Sequence, residues 1–322
     1  MTEEVGLALT VVAGVSLPHL LPLDFASPRG AAVVWALALV LRALVSVAAA
    51  AFVLVYLPQS DLFRPVADWC VHTILPIIVT HLSGHGVGHI AVVLPGLALA
   101  ASLLWAIGSL LRGAITVRMR LRARHRGSGP LGSIVVSDPD VIVAVPMLGP
   151  ARLVVSDRAL ATLDDGELRA SLAHELGHIH RRHRPLLIAA AVLSALGRVI
   201  PGTRAAEREL RFHLERDADA YAIGLTRDPL ALASAICKAA GSRLGAALSG
   251  LGGSGRVNVR LDYLLEAGLG HRLRRVEWAV RGATVLLAGL VLPLLLTLPA
   301  WALAGPADIV VSATVAAGCH GG

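Results

Sequence analysis

Four long apolar runs, Val5–Leu23, Ala31–Leu57, Ile90–Leu111 and Gly282–Ala304, are separated by shorter polar stretches. At about 1.5 Å per helical residue, each can cross a hydrocarbon core about 30 Å thick, so four membrane spans are predicted. Between the third and fourth runs the pattern changes. Ser133–Ser137, Val141–Pro146 and Arg152–Ser156 are short and rich in Val and Ile, and Asp138-Pro139-Asp140 and Gly149-Pro150 punctuate them. That pattern predicts a small antiparallel sheet, reached through the flexible link Arg126–Pro130. Helical spacing takes over from Asp164, with a further helix over Glu207–Tyr221, and Leu248–Gly255 reads as a Gly/Ser-rich break. The expected architecture is therefore a mainly α, polytopic membrane protein carrying an α+β domain. Three N-terminal spans fall in 1–111, the inserted domain in 112–281, and a last span with a short tail in 282–322.

Composition supports this and charge orients it. Hydrophobic residues make up 55% of the chain and charged ones 16%, against about 25% charged in an average soluble domain. Arg112, Arg118, Arg120, Arg122, Arg124 and Arg126 follow the third run, Arg29 lies between the first two, and Arg272, Arg274, Arg275 and Arg281 precede the fourth. By the positive-inside rule all these ends are cytoplasmic, and so is the inserted domain. Glu3 and Glu4 stand where a cleavable signal peptide would be basic. The net charge of +7 could suit nucleic acid. No aromatic platform is interleaved with the arginines, however, so the expected partner is the lipid bilayer and no nucleic acid. Arg42, inside the second run, is expected to snorkel to the cytoplasmic surface. Cys70 and Cys319 are expected outside, Cys237 as a small core residue, and His81, His85 and His89 in a polar outer loop weakened as helix by Gly84, Gly86 and Gly88.

Candidate chemistry begins at His174-Glu175-Leu176-Gly177-His178. On a helix, residues four apart are rotated by only about 40°, so both histidines can aim a ring nitrogen at one Zn²⁺. Glu175 is then within reach of a water at the metal, where a carboxylate acts as general base. Downstream, Glu215 and Asp219 are again four apart and share a face, with Ala218 between them. A catalytic zinc takes three protein ligands. Glu215 is the candidate third, and Asp219 can orient an imidazole from behind; the alternative for Glu215 is an exposed partner of nearby arginines. Continued as one helix, the chain would turn His180 and His183 away from the two histidines, and His213 lies about 200° from Glu215. All three are expected to be structural. The apolar segment Pro185–Ile200 is short for a span. A single crossing there would also divide the ligands between two compartments, so it is expected to be buried or re-entrant.

HELGH followed by a Glu-x-x-Ala-Asp helix resembles the membrane-embedded gluzincin metallopeptidases. The run Ser156–Leu160 through Leu163–Leu168 into Ala173-His174-Glu175 is similar both to BlaR/MecR-type sensor-transducer peptidases and to HtpX/Ste24-type membrane endopeptidases. The resemblance covers about residues 130–240. It implies a zincin-like domain with one Zn²⁺ on His174, His178 and Glu215, Glu175 as the catalytic base and Asp219 in support. In zinc peptidases of this kind, an extended substrate lies against an edge strand.

The expected function is that of a membrane-bound zinc endopeptidase that hydrolyses peptide bonds of a protein or peptide substrate at the cytoplasmic face of the plasma membrane. The sensor-transducer resemblance implies regulated proteolysis in signal transduction, with a cytoplasmic repressor protein as partner. Only a short tail follows the last span, so no external penicillin-binding domain is expected, in contrast to the β-lactam sensors. The alternatives are a quality-control endopeptidase for membrane proteins and a non-catalytic zinc-containing receptor or scaffold. Glu175 argues against the last, since a purely structural zinc has no use for it. Tyr221 and Arg216 are candidates for stabilising the oxyanion.

Overall fold

The computed structural model describes residues 2–55, 84–239, 257–266 and 274–318. It is mainly helical, with one small sheet. Helices α1 (Thr2–Leu20), α2 (Pro28–Val55) and α3 (Gly84–Arg124) lead into strands β1 (His125–Ser128), β2 (Ile134–Val136), β3 (Val143–Ala144) and β4 (Val154–Ser156). Helices α4 (Asp157–Thr162), α5 (Asp165–His180), α6 (His183–Leu196), α7 (Thr203–Thr226) and α8 (Pro229–Ala239) follow, then α9 (Val257–Glu266) and α10 (Arg274–Gly318). Cys70, His81, Cys319 and the Leu248–Gly255 break lie outside the described residues. Gly84–His89 is helical, the first turns of α3, rather than a loop. Cys237 is exposed, not a core residue.

Among the described residues, three helices are long and apolar enough to cross a membrane: Pro28–Val53, Leu94–Arg124 and Arg275–Thr297. They correspond to the second, third and fourth apolar runs. The first run falls on α1, where Leu9–Leu20 forms a shorter apolar stretch. Leu97, Leu104 and Trp105 on α3, and Val285, Leu292 and Leu296 on α10, are exposed, which is how lipid-facing helices dispose their side chains. Helix α2 is different. Ala31, Val34, Trp35, Ala38 and Leu39 share one core with Leu187 and Ala190 of α6, Leu210 and Leu214 of α7, and Val280 and Leu287 of α10. Arg42 does not snorkel. It is fully buried and donates to the carbonyls of Ala38 (3.1 Å) and Val15 (2.6 Å). One carbonyl of its own helix and one of α1 give the guanidinium partners that the surface would otherwise supply.

The sheet has the order β1-β2-β4-β3 and is mixed rather than antiparallel. β1 pairs antiparallel with β2, and β3 antiparallel with β4, but β2 and β4 run parallel, with Ile134 opposite Val154. β4 inserts between β2 and β3, and a strand two steps on in an up-down series points the same way as β2. Val154, Val155 and Ser156 are all buried, as this central position requires. The expected link at Arg126–Pro130 instead contributes β1, an edge strand with a bulge between His125 and Gly127.

Two local devices set the helix after the sheet. Asp164 accepts from the Glu167 backbone N–H (2.8 Å) and Glu167 from that of Asp164 (2.9 Å), a capping box that starts α5. Glu167 is also tied to α8, accepting from Ser234 on Oε1 and from Lys238 on Oε2, each at 2.6 Å. At its far end α5 stops at His180, because Arg182 turns into the left-handed region (φ 55°, ψ 39°) and the chain restarts as α6. Further along, α5 lies directly on α7. A Cβ built at Gly177 would stand 3.2 Å from Ala218 Cα and 3.3 Å from its carbonyl oxygen. Gly224, on the same α7, has open space around it. Gly177→Leu should therefore destabilise the protein by about 1–3 kcal/mol through overpacking. Gly224→Ala should instead stabilise it by about 0.5–1 kcal/mol through helix propensity. Thermal or denaturant unfolding of the detergent-solubilised chain measures both, and equal effects at the two positions would contradict the packing.

Candidate metal centre

The contact between α5 and α7 brings the chemistry together. His174 and His178 come from α5, Glu215 and Asp219 from α7, and each pair lies four residues apart on the face turned to the other helix. Ring nitrogens Nε2 of His174 and His178 are 3.2 Å apart. Glu215 places Oε2 3.5 Å from the first and Oε1 3.5 Å from the second. Donors bound at about 2.0–2.2 Å to one tetrahedral Zn²⁺ would be separated by about 3.3–3.5 Å. The donor set and its close spacing thus suit zinc. Asp219, fully buried, stands behind His174 with Oδ1 2.8 Å from Nδ1. Glu175 points to the strand side, where its Oε2 accepts from the backbone N–H of Val145 at 2.9 Å, just beyond the end of β3.

Burial makes the electrostatics strong. Burial pushes the Glu175 carboxyl up to about 7, with His174 pulling down and Glu215 pushing further up. His178 is driven down to about 3 by burial, only partly opposed by Glu215, so its ring stays neutral with a lone pair to give. His174 goes the other way. Burial alone would lower it, but Asp219 and Glu215 raise it to about 10. A pocket with one buried carboxylate, Asp219, and one half-buried, Glu215, attracts a cation at the position of these nitrogens.

One positive charge there is supplied by a residue that sequence reasoning missed. Arg260, on α9, is buried and donates to both oxygens of Asp219, Nη2 to Oδ1 at 2.7 Å and Nε to Oδ2 at 2.9 Å. Its Nη1 lies 3.0 Å from Glu215 Oε2. Against the penalty of burial, Asp219 and Glu215 hold the guanidinium firmly charged. In return Arg260 counters the burial that would raise both carboxyls and keeps them below the usual range. Nothing in Val257–Glu266 marks this arginine out, because its partners are far away in sequence.

His183 was also misjudged. The expectation that it faces away assumed one continuous helix, and the left-handed turn at Arg182 removes that assumption. Its Nδ1 lies 3.0 Å from His178 Nδ1, and its Nε2 3.1 Å from Asp217 Oδ2. Pro185 is the signal that could have revealed the break, since proline is tolerated in the first turn of a helix and not in its interior. His180 instead stacks on Tyr221, 5.7 Å between centroids. Of the two oxyanion candidates, Tyr221 also carries Arg181 over its ring, and Arg216 lies over the rings of Phe212 and Tyr263. A second cluster, Asp24, Glu209 and His213, has its oxygen and nitrogen atoms within 4.8 Å of one another. Arg216 sits 3.3 Å from His213 Nδ1, filling that neighbourhood with a cation of the chain's own.

Comparison with known families now adds an independent finding. The model of Peptidase family M48 matches residues 133–212. The match runs from just before β2 into α7, includes His174, Glu175 and His178, and ends three residues before Glu215. It supports a zinc metallopeptidase of that family and does not separate the two kinds of membrane peptidase that the sequence resembles. No curated protein and no solved structure matches the chain.

Arg260→Ala should cost about 3–5 kcal/mol, because it removes the guanidinium from the buried Asp219 and the half-buried Glu215. Arg211→Ala removes only a half-buried helix pair with Glu207 (2.8 Å) and should cost about 0.3–0.5 kcal/mol. Unfolding curves of the two variants would show whether that order holds.

Proposed function

We propose that this protein is a membrane-bound zinc endopeptidase, with Zn²⁺ held by His174, His178 and Glu215. The observation that carries the reading is the convergence of these three donors at separations of 3.2–3.5 Å, with the half-buried carboxyl of Glu175 beside them. Zinc in such a site supplies Lewis acidity toward water and the scissile carbonyl. Glu175, held near neutrality by burial, takes the proton from the attacking water and passes it to the leaving amine nitrogen. Asp219 keeps the Nδ1 proton on His174, so that Nε2 faces the donors. Arg260 offsets the carboxylate charge when substrate is absent. An extended peptide would lie along β3, the edge strand that is followed directly by Val145, whose N–H is bonded to Glu175.

The exposed apolar faces of α3 and α10 support residence in the plasma membrane, and the arginine clusters support a cytoplasmic site. We place the activity in regulated proteolysis, with a cytoplasmic protein such as a repressor as substrate. The support is that α2, long enough to span a membrane, packs directly on α7, so a displaced span would strain the site.

Glu175→Gln keeps the three donors and removes only the base. Purified in detergent, this variant should retain zinc at the wild-type ratio while peptide hydrolysis falls at least about 10²-fold. Undiminished turnover with zinc present would remove Glu175 from the mechanism. Sidedness is checked separately, with single cysteines at the exposed positions Ser128 and Arg204 in a cysteine-free background. Both should resist an impermeant thiol reagent in intact cells and react once the membrane is opened; labelling of either from outside would overturn the cytoplasmic assignment.

A further inference from the structure

The second histidine of the site is backed by a chain of contacts that runs out to a membrane helix. From His178 Nδ1 the path goes 3.0 Å to His183 Nδ1, and from His183 Nε2 3.1 Å to Asp217 Oδ2. Arg29 Nε closes it, 3.2 Å from Asp217 Oδ1 and 3.4 Å from Oδ2. His183 and Asp217 are both buried. Arg29 stands in the first turn of α2.

With both imidazoles neutral, one proton placement satisfies every contact on this path. A carboxylate at Asp217 can only accept, so His183 carries its hydrogen on Nε2 and presents a bare Nδ1. His178 must then donate from its own Nδ1, which leaves the Nε2 lone pair aimed at His174 and Glu215. No charge on either imidazole is needed. Asp217 cannot reach His178 directly, because two residues from Glu215 it is rotated by about 200° on α7 and faces α2. His183, delivered by the turn at Arg182, spans the gap.

We propose that His183 and Asp217 are positioning residues that fix the tautomer and ring orientation of His178, and that Arg29 fastens them to α2. The inference rests on the zinc site described above. Asp219 orients His174 in one step; His178 is oriented in two, and the second step ends on a span. The Arg29 side chain is 58% exposed, beside a cavity of about 370 Å³ that Asp217 and His183 also line. It is therefore the weaker link.

The test is zinc affinity of the full chain in detergent, read by competition with a chromophoric chelator, together with the visible absorption of the Co²⁺-substituted protein. His183→Leu fills the space without hydrogen bonds and should weaken zinc binding about 10–100-fold and alter the Co²⁺ bands. His183→Gln, whose amide can accept from His178 and donate to Asp217, should return within a few-fold of wild type. Asp217→Asn should weaken binding as well, and combined with His183→Leu should add little, because the two act through one contact. Should His183→Leu fail to fold, Asp217→Asn against His183→Gln decides the matter. Arg29→Gln should cost only about 2–3-fold, in keeping with its exposure. Wild-type affinity in His183→Leu, or a His183→Gln variant no better than His183→Leu, would overturn the relay, since either outcome reduces His183 to packing. Glu215→Ala in the same titration separates the two readings. Affinity lost there but kept in His183→Leu sinks the relay alone, whereas no zinc bound by wild type sinks the site and the relay with it.

Discussion

Everything at the site depends on how closely α5 and α7 approach at Gly177 and Ala218. A glycine in one helix against a fully buried alanine in the other lets donors with short reach, two imidazoles and one carboxylate, meet within 3.2–3.5 Å. A larger side chain at either position would hold the helices apart by more than these side chains can span. The approach also explains why the donors come in pairs four residues apart. Each helix offers one narrow stripe to the other, and positions three or four apart stay on it over a full turn.

Such an approach concentrates negative charge in a dry place, and the surrounding fold answers this on two sides. Arg260 from α9 pairs with Asp219 and Glu215. On the opposite face of α7, Arg29 and His183 pair with Asp217. Both flanking cations come from elements that are neither α5 nor α7, so the site is complete only when the whole domain and the start of α2 are in place. The two histidines respond in opposite ways. His174 is drawn toward holding a positive charge by the carboxylates behind and beside it, and His178 is kept neutral. Together they describe a pocket that wants one more cation and has a lone pair ready for it.

What periodicity can express was legible in the sequence. The helical positions of His174, His178, Glu215 and Asp219 and the small residue at Ala218 follow from spacing, and the apolar parts of the helices over 28–53, 94–124 and 275–297 from apolar length; the continuation of α3 through the arginines to Arg124 does not. What depends on partner choice was not. The pairing direction of β2 with β4 leaves no mark on two runs of valine and isoleucine, which suit parallel and antiparallel ladders alike. Arg260 sits in a short helix with one arginine and no repeated pattern, and its role comes from tertiary contact alone. His183 is an intermediate case. The angular argument was sound for an unbroken helix, and Pro185 was the residue that should have broken it.

The same stripe logic places α7 between two environments. Ala206, Leu210, Leu214 and Asp217 recur at helical spacing on the side shared with α2, while Glu215, Ala218, Asp219 and Ala222 face the α5 side and are likewise buried or nearly so. Helix α7 cannot move against α2 without disturbing one stripe, nor against α5 without disturbing the other. Well-packed interfaces shift between discrete arrangements more readily than they deform continuously. A tilt or shift of α2 within a bilayer would therefore reach the donors through rigid packing and through Asp217, the one polar residue on its stripe. Under the proposed function this makes α2 the element by which events in the membrane could set the geometry of the site, because it is both long enough to span and packed on the helix that carries Glu215.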